Sequence, residues 1–134
     1  MRWICSLLIG QHLKLLLFIN LKEKRIVIIG ASSGIGKQAA ITLSDIGAKV
    51  TLVARREQQL KEVMKLLKGD GHDYFCSDIS EILKIETLFK QITQKNGAID
   101  GLIYAAGIGT AIPFIQSKPE KIRETFNVNF VGFL

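Results

Sequence analysis

From Leu21 onward, hydrophobic and polar positions alternate in regular blocks. RIVIIG (25–30) becomes a continuous apolar run after its first residue, as expected of a parallel strand covered on both faces. Ile35, Ala39, Leu43 and Ile46 then recur at helical spacing, while Gly36, Ala40 and Gly47 leave a second face small enough for close packing. The pattern predicts a helix from near Ile35 to Gly47. KVTLVA (49–54) reads as a second strand, and Leu60, Val63, Met64 and Leu67 as the apolar side of a helix that stops at Gly-Asp-Gly, 69–71. DYFCS (73–77) reads as a third strand. Ile82, Ile85, Leu88, Phe89 and Ile92 share one side of a helix ending at Asn96 and Gly97. IDGLIYAAG (99–107) is the fourth predicted strand. Ser117 with Glu120 three residues on reads as a capping box for a last helix that runs to Leu134.

Strands alternating with helices of this length imply an α/β fold with parallel strands and crossover helices, a doubly wound, Rossmann-like sheet of which four strands are present. Right-handed crossovers and the reversal of strand order place a crevice at the carboxyl ends of the first and fourth strands. Residues 21–134 read as one unit without repeats or low-complexity tracts. Residues 1–20, MRWICSLLIGQHLKLLLFIN, read as an apolar extension: Gln11, His12 and Lys14 interrupt the run, so no uncharged stretch of roughly 18 residues is left to span a bilayer. Lys14 also breaks any signal-peptide core. A packing arm, or an extension upstream of the native start, is the simplest reading. A membrane-surface helix is the alternative, with Arg2, Lys14, Lys22 and Lys24 at the headgroups.

Composition narrows the function classes. In 134 residues, 48% are hydrophobic and 22% charged, the balance of an ordinary globular domain rather than a disordered chain. The net charge of +6 invites an anionic partner, but Lys61, Lys65 and Lys68 recur at helical spacing as a solvated face does. No nucleic-acid reader motif accompanies them, so nucleic acid is not an expected partner. Cys5 and Cys76 have neither disulfide-framework nor metal-ligand spacing, which fits a reducing, cytoplasmic setting and no metal site.

The candidate chemistry lies in IVIIGASSGIGKQAA (26–40). Gly30 lets the chain turn sharply after the strand, Gly34 lets backbone approach a ligand, and Gly36 lets helix and strand pack closely. The helix starting near Ile35 aims free N–H groups and its positive dipole end at the crevice, which suits a phosphate, and Ser32 and Ser33 add hydroxyls. A glycine-rich turn with no ligand is the alternative reading of these residues alone. A dinucleotide site that prefers a free ribose 2′-hydroxyl usually has an acid about 20 residues beyond the glycines. Ala54 stands there, followed by Arg55 and Arg56, which would favour a 2′-phosphate. Asn129 shares a helical face with Ile122, Phe126 and Phe133 and is expected to point inward, as a hydrogen-bonded core amide or as a site residue; Asn127 is expected at the surface.

Together GASSGIG (30–36), VARR (53–56), SDIS (77–80), YAAG (104–107) and NVNFVG (127–132) resemble the classical short-chain dehydrogenase/reductase family. The resemblance implies binding of NADP(H), with NAD(H) less favoured, and hydride transfer between nicotinamide and a small-molecule carbonyl or alcohol, in a full-length form that is a homo-oligomer. It further implies that Asp78 and Ile79 lie against the adenine, that Ala105, Ala106 and Gly107 line the cofactor, and that Asn129 supports a proton relay. Ile29 and Tyr104 depart from the family's usual threonine and first asparagine, which weakens expected polar ties around the central strands. The family's serine and Tyr-x-x-x-Lys would lie beyond residue 134, and Tyr74 and Tyr104 are followed four residues on by Asp78 and Ile108. The chain therefore reads as the cofactor-binding front of an oxidoreductase that is inactive alone; a non-catalytic NADP(H)-binding or redox-sensing module is the alternative.

Overall fold

The structure is a computed structural model that describes residues 20–109 and 116–133. All but the last residue of the expected N-terminal extension lie outside them. The described elements are β1 (Arg25–Ile29), α1 (Gly34–Asp45), β2 (Lys49–Ala54), α2 (Glu57–Met64), β3 (Asp73–Cys76), α3 (Ile82–Asn96), β4 (Gly101–Tyr104), α4 (Pro119–Asn129) and a 3-10 turn (Val131–Phe133). The four strands form one parallel sheet in the order β3-β2-β1-β4. The chain thus reverses direction across the sheet after β3, and β1 and β4 become neighbours, as the Rossmann-like reading requires.

The period of two along β1 explains its continuous apolar run. Ile26 and Ile28 face one core with Val50, Leu52, Ala40 of α1, and Leu60 and Val63 of α2. Val27 and Ile29 face the other with Val53, Ile79, and Leu88 and Ile92 of α3. Both faces of the strand are therefore dry, and each fully buried aliphatic side chain contributes about 1.5–3 kcal/mol. Thr51 is a polar exception within the sheet, fully buried, and its hydroxyl accepts from Asn96 Nδ2 at the end of α3 (3.4 Å).

Three expectations need correction. In α1 the small face is buried as its spacing implies, at Gly36 and Ala40 with Ser44, but two residues of the expected apolar face are not: Ile35 is 83% exposed and Ile46 half exposed. Gly36 and Ala40 let the helix lie close to the sheet, Ala39 and Leu43 pack partly buried against the same core, and Ser44 satisfies its buried hydroxyl by donating to Ile41 O (2.7 Å) and accepting from Lys68 N–H (3.2 Å). The last helix has Lys118, not Ser117, at its N-cap, without a side-chain cap bond, and it ends at Asn129 in a 3-10 turn. Proline at its first position already supplies the pre-set backbone angle and has no N–H to cap. Its inward residue is Val128. Ile122, Phe126, Phe130 and Asn129 are exposed, Phe126 and Phe130 lying with ring centroids 5.1 Å apart, and Asn127 is more covered than Asn129.

Candidate active site

The sheet ladders end in a stepped crest that forms the floor of a crevice. Gly30 N–H donates to Val53 O (2.8 Å), Ser77 N–H to Ala54 O (3.0 Å) and Ala105 N–H to Ile29 O (2.8 Å), carrying the pairing one residue past each strand before the chains diverge. A cavity of about 400 Å³ opens above this crest, within the roughly 300–1,000 Å³ range of small-molecule clefts. Gly30, Ser32, Ser33, Gly34 and Ile35 line it from the first turn, Arg55 and Arg56 from the end of β2, Asp78 and Ile79 from the end of β3, and Ala105, Ala106 and Gly107 from the end of β4. Four segments up to 77 residues apart in sequence thus meet at one place.

The three glycines have different surroundings, and Gly30 serves a purpose beyond the turn expected of it. Gly30 has φ +82°, and a Cβ there would lie 2.5 Å from Ala106 N, so this position serves both the turn and the approach of β4. Gly36 has no room either: a Cβ would meet Gly30 O at 2.4 Å. Gly34 has φ +55° with no atom within 4 Å of a would-be Cβ, so it faces the open cavity at the first turn of α1. A backbone in that conformation beside a helix N-terminus is an anion-binding surface.

Charge is distributed unevenly around this opening. Arg56 is the N-cap residue of α2, where a cation gains nothing from the helix dipole. Its guanidinium crosses the crevice and donates to Ser32 Oγ (3.2 Å) and Ser33 Oγ (3.3 Å). Arg55 turns the other way, to Asp78 Oδ2 at 3.4 Å, half exposed and so worth little by itself. Burial pushes the Asp78 carboxyl up, but the Ser80 N–H (2.9 Å) and hydroxyl (2.8 Å), together with Arg55, outweigh it and hold Asp78 below the ordinary aspartate range. It is therefore an ionised acceptor at neutral pH.

The opposite wall comes from the residues after β4 and from α4. Asn129 does not line the cavity. Its side-chain amide instead grips one residue that does: Ile108 N–H donates to Asn129 Oδ1 and Asn129 Nδ2 donates to Ile108 O, both at 2.8 Å. The Tyr104 hydroxyl donates to Val128 O, and Val128 also lines the cavity. The tyrosine that departs from the family pattern therefore supplies a polar tie of its own, where a weakening was expected. Ile29, Val53, Ala54, Ser77, Ile108 and Val128 also line the cavity without having been expected to; Val53, Ala54, Ser77 and Val128 lie within the recognised motifs and Ile29 and Ile108 directly beside them, and only the three-dimensional crest shows which of these turn inward. Among the described residues no cluster of three or more potential metal ligands occurs, and no helix is long and apolar enough to cross a membrane.

The short chain dehydrogenase family model matches residues 24–134. An uncharacterized oxidoreductase of Listeria monocytogenes is 32% identical over 117 residues, covering 86% of this chain and 47% of that protein. A 3-dehydrosphinganine reductase of Danio rerio is 31% identical, covering 85% of this chain and 36% of that protein. The crystal structure of a short chain dehydrogenase from Bacillus anthracis superposes with a TM-score of 0.80 at 27% identity, covering 86% of this chain and 47% of that one. The chain thus spans about half the length of the relatives it matches, or less, and it belongs to the short-chain dehydrogenase family.

Proposed function

We propose that this chain is the cofactor-binding part of an NADP(H)-dependent oxidoreductase that reduces a small-molecule carbonyl or oxidises the corresponding alcohol. The observation that carries the reading is the crest cavity, where the glycine turn at the start of α1, two arginines after β2 and the Ala-Ala-Gly end of β4 converge. The open surface at Gly34 and the N-terminal amides of α1 fit a pyrophosphate. Arg56, already seated on Ser32 and Ser33, and Arg55 beside it fit a 2′-phosphate, and no acid stands at the end of β2 to hold a free 2′-hydroxyl. Asp78 and Ile79 would border the adenine, and Ala105, Ala106 and Gly107 the other end of the cofactor.

The bound nicotinamide would supply or accept the hydride. A carbonyl reduction also needs a proton at oxygen, and neither tyrosine is placed to give one: Tyr104 donates to Val128 O and Tyr74 to Glu57 Oε1 (3.2 Å). The part of this chain is therefore to bind and orient the cofactor, with Asn129 acting through the backbone of Ile108, and we expect no carbonyl reductase activity from residues 1–134 by themselves.

Calorimetric titration of NADPH and NADH into the wild type, Arg55→Ala and Arg56→Ala tests the reading. NADPH is expected to bind at least about tenfold more tightly than NADH, since one retained charge-assisted contact exceeds 1.4 kcal/mol. Arg56→Ala is expected to remove most of that difference. Equal affinities in the wild type would refute the 2′-phosphate assignment, and failure to bind either nucleotide would refute the cofactor site itself.

A further inference from the structure

We propose that Tyr104 is a positioning residue of the cavity: its hydroxyl holds the end of α4 against the end of β4, so that Val128 and Ile108 stay in place as one wall. Calling that wall part of a cofactor site rests on the function proposed above; the contact itself does not.

Among the described residues little else secures α4. Of its 11 residues only Val128 is buried, while Ile122 and Phe126 are exposed. A helix without a buried stripe gains little from the hydrophobic effect and depends on specific ties. Two such ties join α4 to the end of β4 among the described residues, at neighbouring positions: the carbonyl of Val128 and the amide of Asn129. Tyr104, in contrast, is firmly based. Its backbone is in register with Ile29, and its ring packs against the core formed by Val27, Ile29, Val53 and the α3 residues. A rigid ring with its foot in the sheet and its hydroxyl on the helix acts as a strut, since burial fixes its direction and the hydroxyl needs a partner there.

Gly132 supports this assignment independently. It is buried, and a Cβ on it would lie 2.8 Å from the Tyr104 hydroxyl, 3.0 Å from Ile79 O and 3.3 Å from Asn127 O. The chain leaving α4 is thus shaped around the tyrosine hydroxyl, and Ile79, on the adenine side of the cavity, closes the same junction. Burial also keeps the phenol protonated, its pKa raised above the ordinary tyrosine range, so the donor persists through neutral pH.

Amide hydrogen exchange on the 134-residue chain provides the test. In Tyr104→Phe, which keeps the ring, exchange at the Ile108 amide is expected to accelerate about threefold to tenfold, the equivalent of one lost net hydrogen bond. The β1 and β2 amides are expected to keep their protection. Gly132→Ala, which displaces the hydroxyl without altering the ring, is expected to give the same local signature. NADPH affinity is expected to fall in both by a similar factor while far-UV circular dichroism is unchanged. Unchanged Ile108 exchange in either folded variant would overturn the proposal. Loss of the whole fold in both would also overturn it, because the contact would then belong to global stability. A wild type that fails to bind NADPH would overturn the cofactor reading and leave the exchange result to decide the strut.

Discussion

The glycine-turn wall and the α4 wall of the cavity enclose the same space by different means. The first grows directly out of β1, where Val27, Ile28 and Ile29 are essentially inaccessible and both faces of the strand are packed. Its shape is set by backbone against backbone: Gly30 on Ala106, Gly36 on Gly30. The second wall has one buried residue in α4 and is tied by a hydroxyl and an amide. Close-packed backbone tolerates almost no change, whereas hydrogen-bonded ties cost about 0.5–1.5 kcal/mol each and can open locally. A phosphate at Gly34, as proposed above, would sit on the rigid wall, and the tied wall is the one expected to open first.

The largest expected effect breaks the rigid wall. Gly30→Ala combines a backbone angle that L residues avoid with a Cβ 2.5 Å from main-chain nitrogen, and neither side can yield cheaply. We expect a loss of about 3 kcal/mol or more, measured by denaturant unfolding, a large part of a domain's roughly 5–15 kcal/mol. Gly34→Val is the paired experiment. Its Cβ has no neighbour within 4 Å, so the strained angle is the main cost, about 1–3 kcal/mol, yet the side chain would fill the phosphate surface. Calorimetry is expected to show NADPH binding abolished in a chain that still unfolds cooperatively, and retained binding would remove Gly34 from the site.

An intermediate effect is expected at the tied wall. Asn129→Asp keeps the acceptor for the Ile108 N–H but replaces the donor to Ile108 O with a second oxygen. The expected cost is about 1 kcal/mol, with faster exchange at Ile108 and none of the large loss expected for Gly30→Ala. If Asn129→Asp destabilised the chain as much as Gly30→Ala, the distinction between the walls would fail.

The smallest effect on either wall is expected from Asp73, at the opposite end of the sheet. Burial raises its carboxyl pKa, but Lys95 Nζ (2.7 Å), the Tyr74 N–H (2.9 Å) and Asn96 Nδ2 (3.2 Å) outweigh that and lower it overall. A group whose pKa is lower when folded contributes its stability above the ordinary aspartate value, and loses it as the pH falls through the lowered one. Wild-type stability should therefore decline below about pH 4, and Asp73→Asn should flatten that decline while costing about 1 kcal/mol at neutral pH. Ile108 exchange and nucleotide affinity should not move.

Much of this was legible in the chain itself. Strand and helix order, the parallel sheet, the crevice and its glycine-turn and arginine lining follow from apolar periodicity and from glycines after a buried strand, because these are local properties of short segments; Asp78, Ile79, Ala105, Ala106 and Gly107 were expected there only from the family resemblance. Other features depend on what comes to lie opposite. Ile35 and Ile46 share helical spacing with Ala39 and Leu43, yet only the latter two pack against the core beside Gly36, Ala40 and Ser44, while Ile35 and Ile46 are exposed at the two ends of α1. Ser117 has the spacing of a capping box, but proline at 119 starts the helix. The amide of Asn129 was expected inside by its helical face and instead reaches across to Ile108, while Tyr104, read as a weakened position, ties β4 to α4. Sequence periodicity determined which residues can share a face; only the tertiary structure decided which face meets a partner, because that choice rests on separations between segments far apart along the chain.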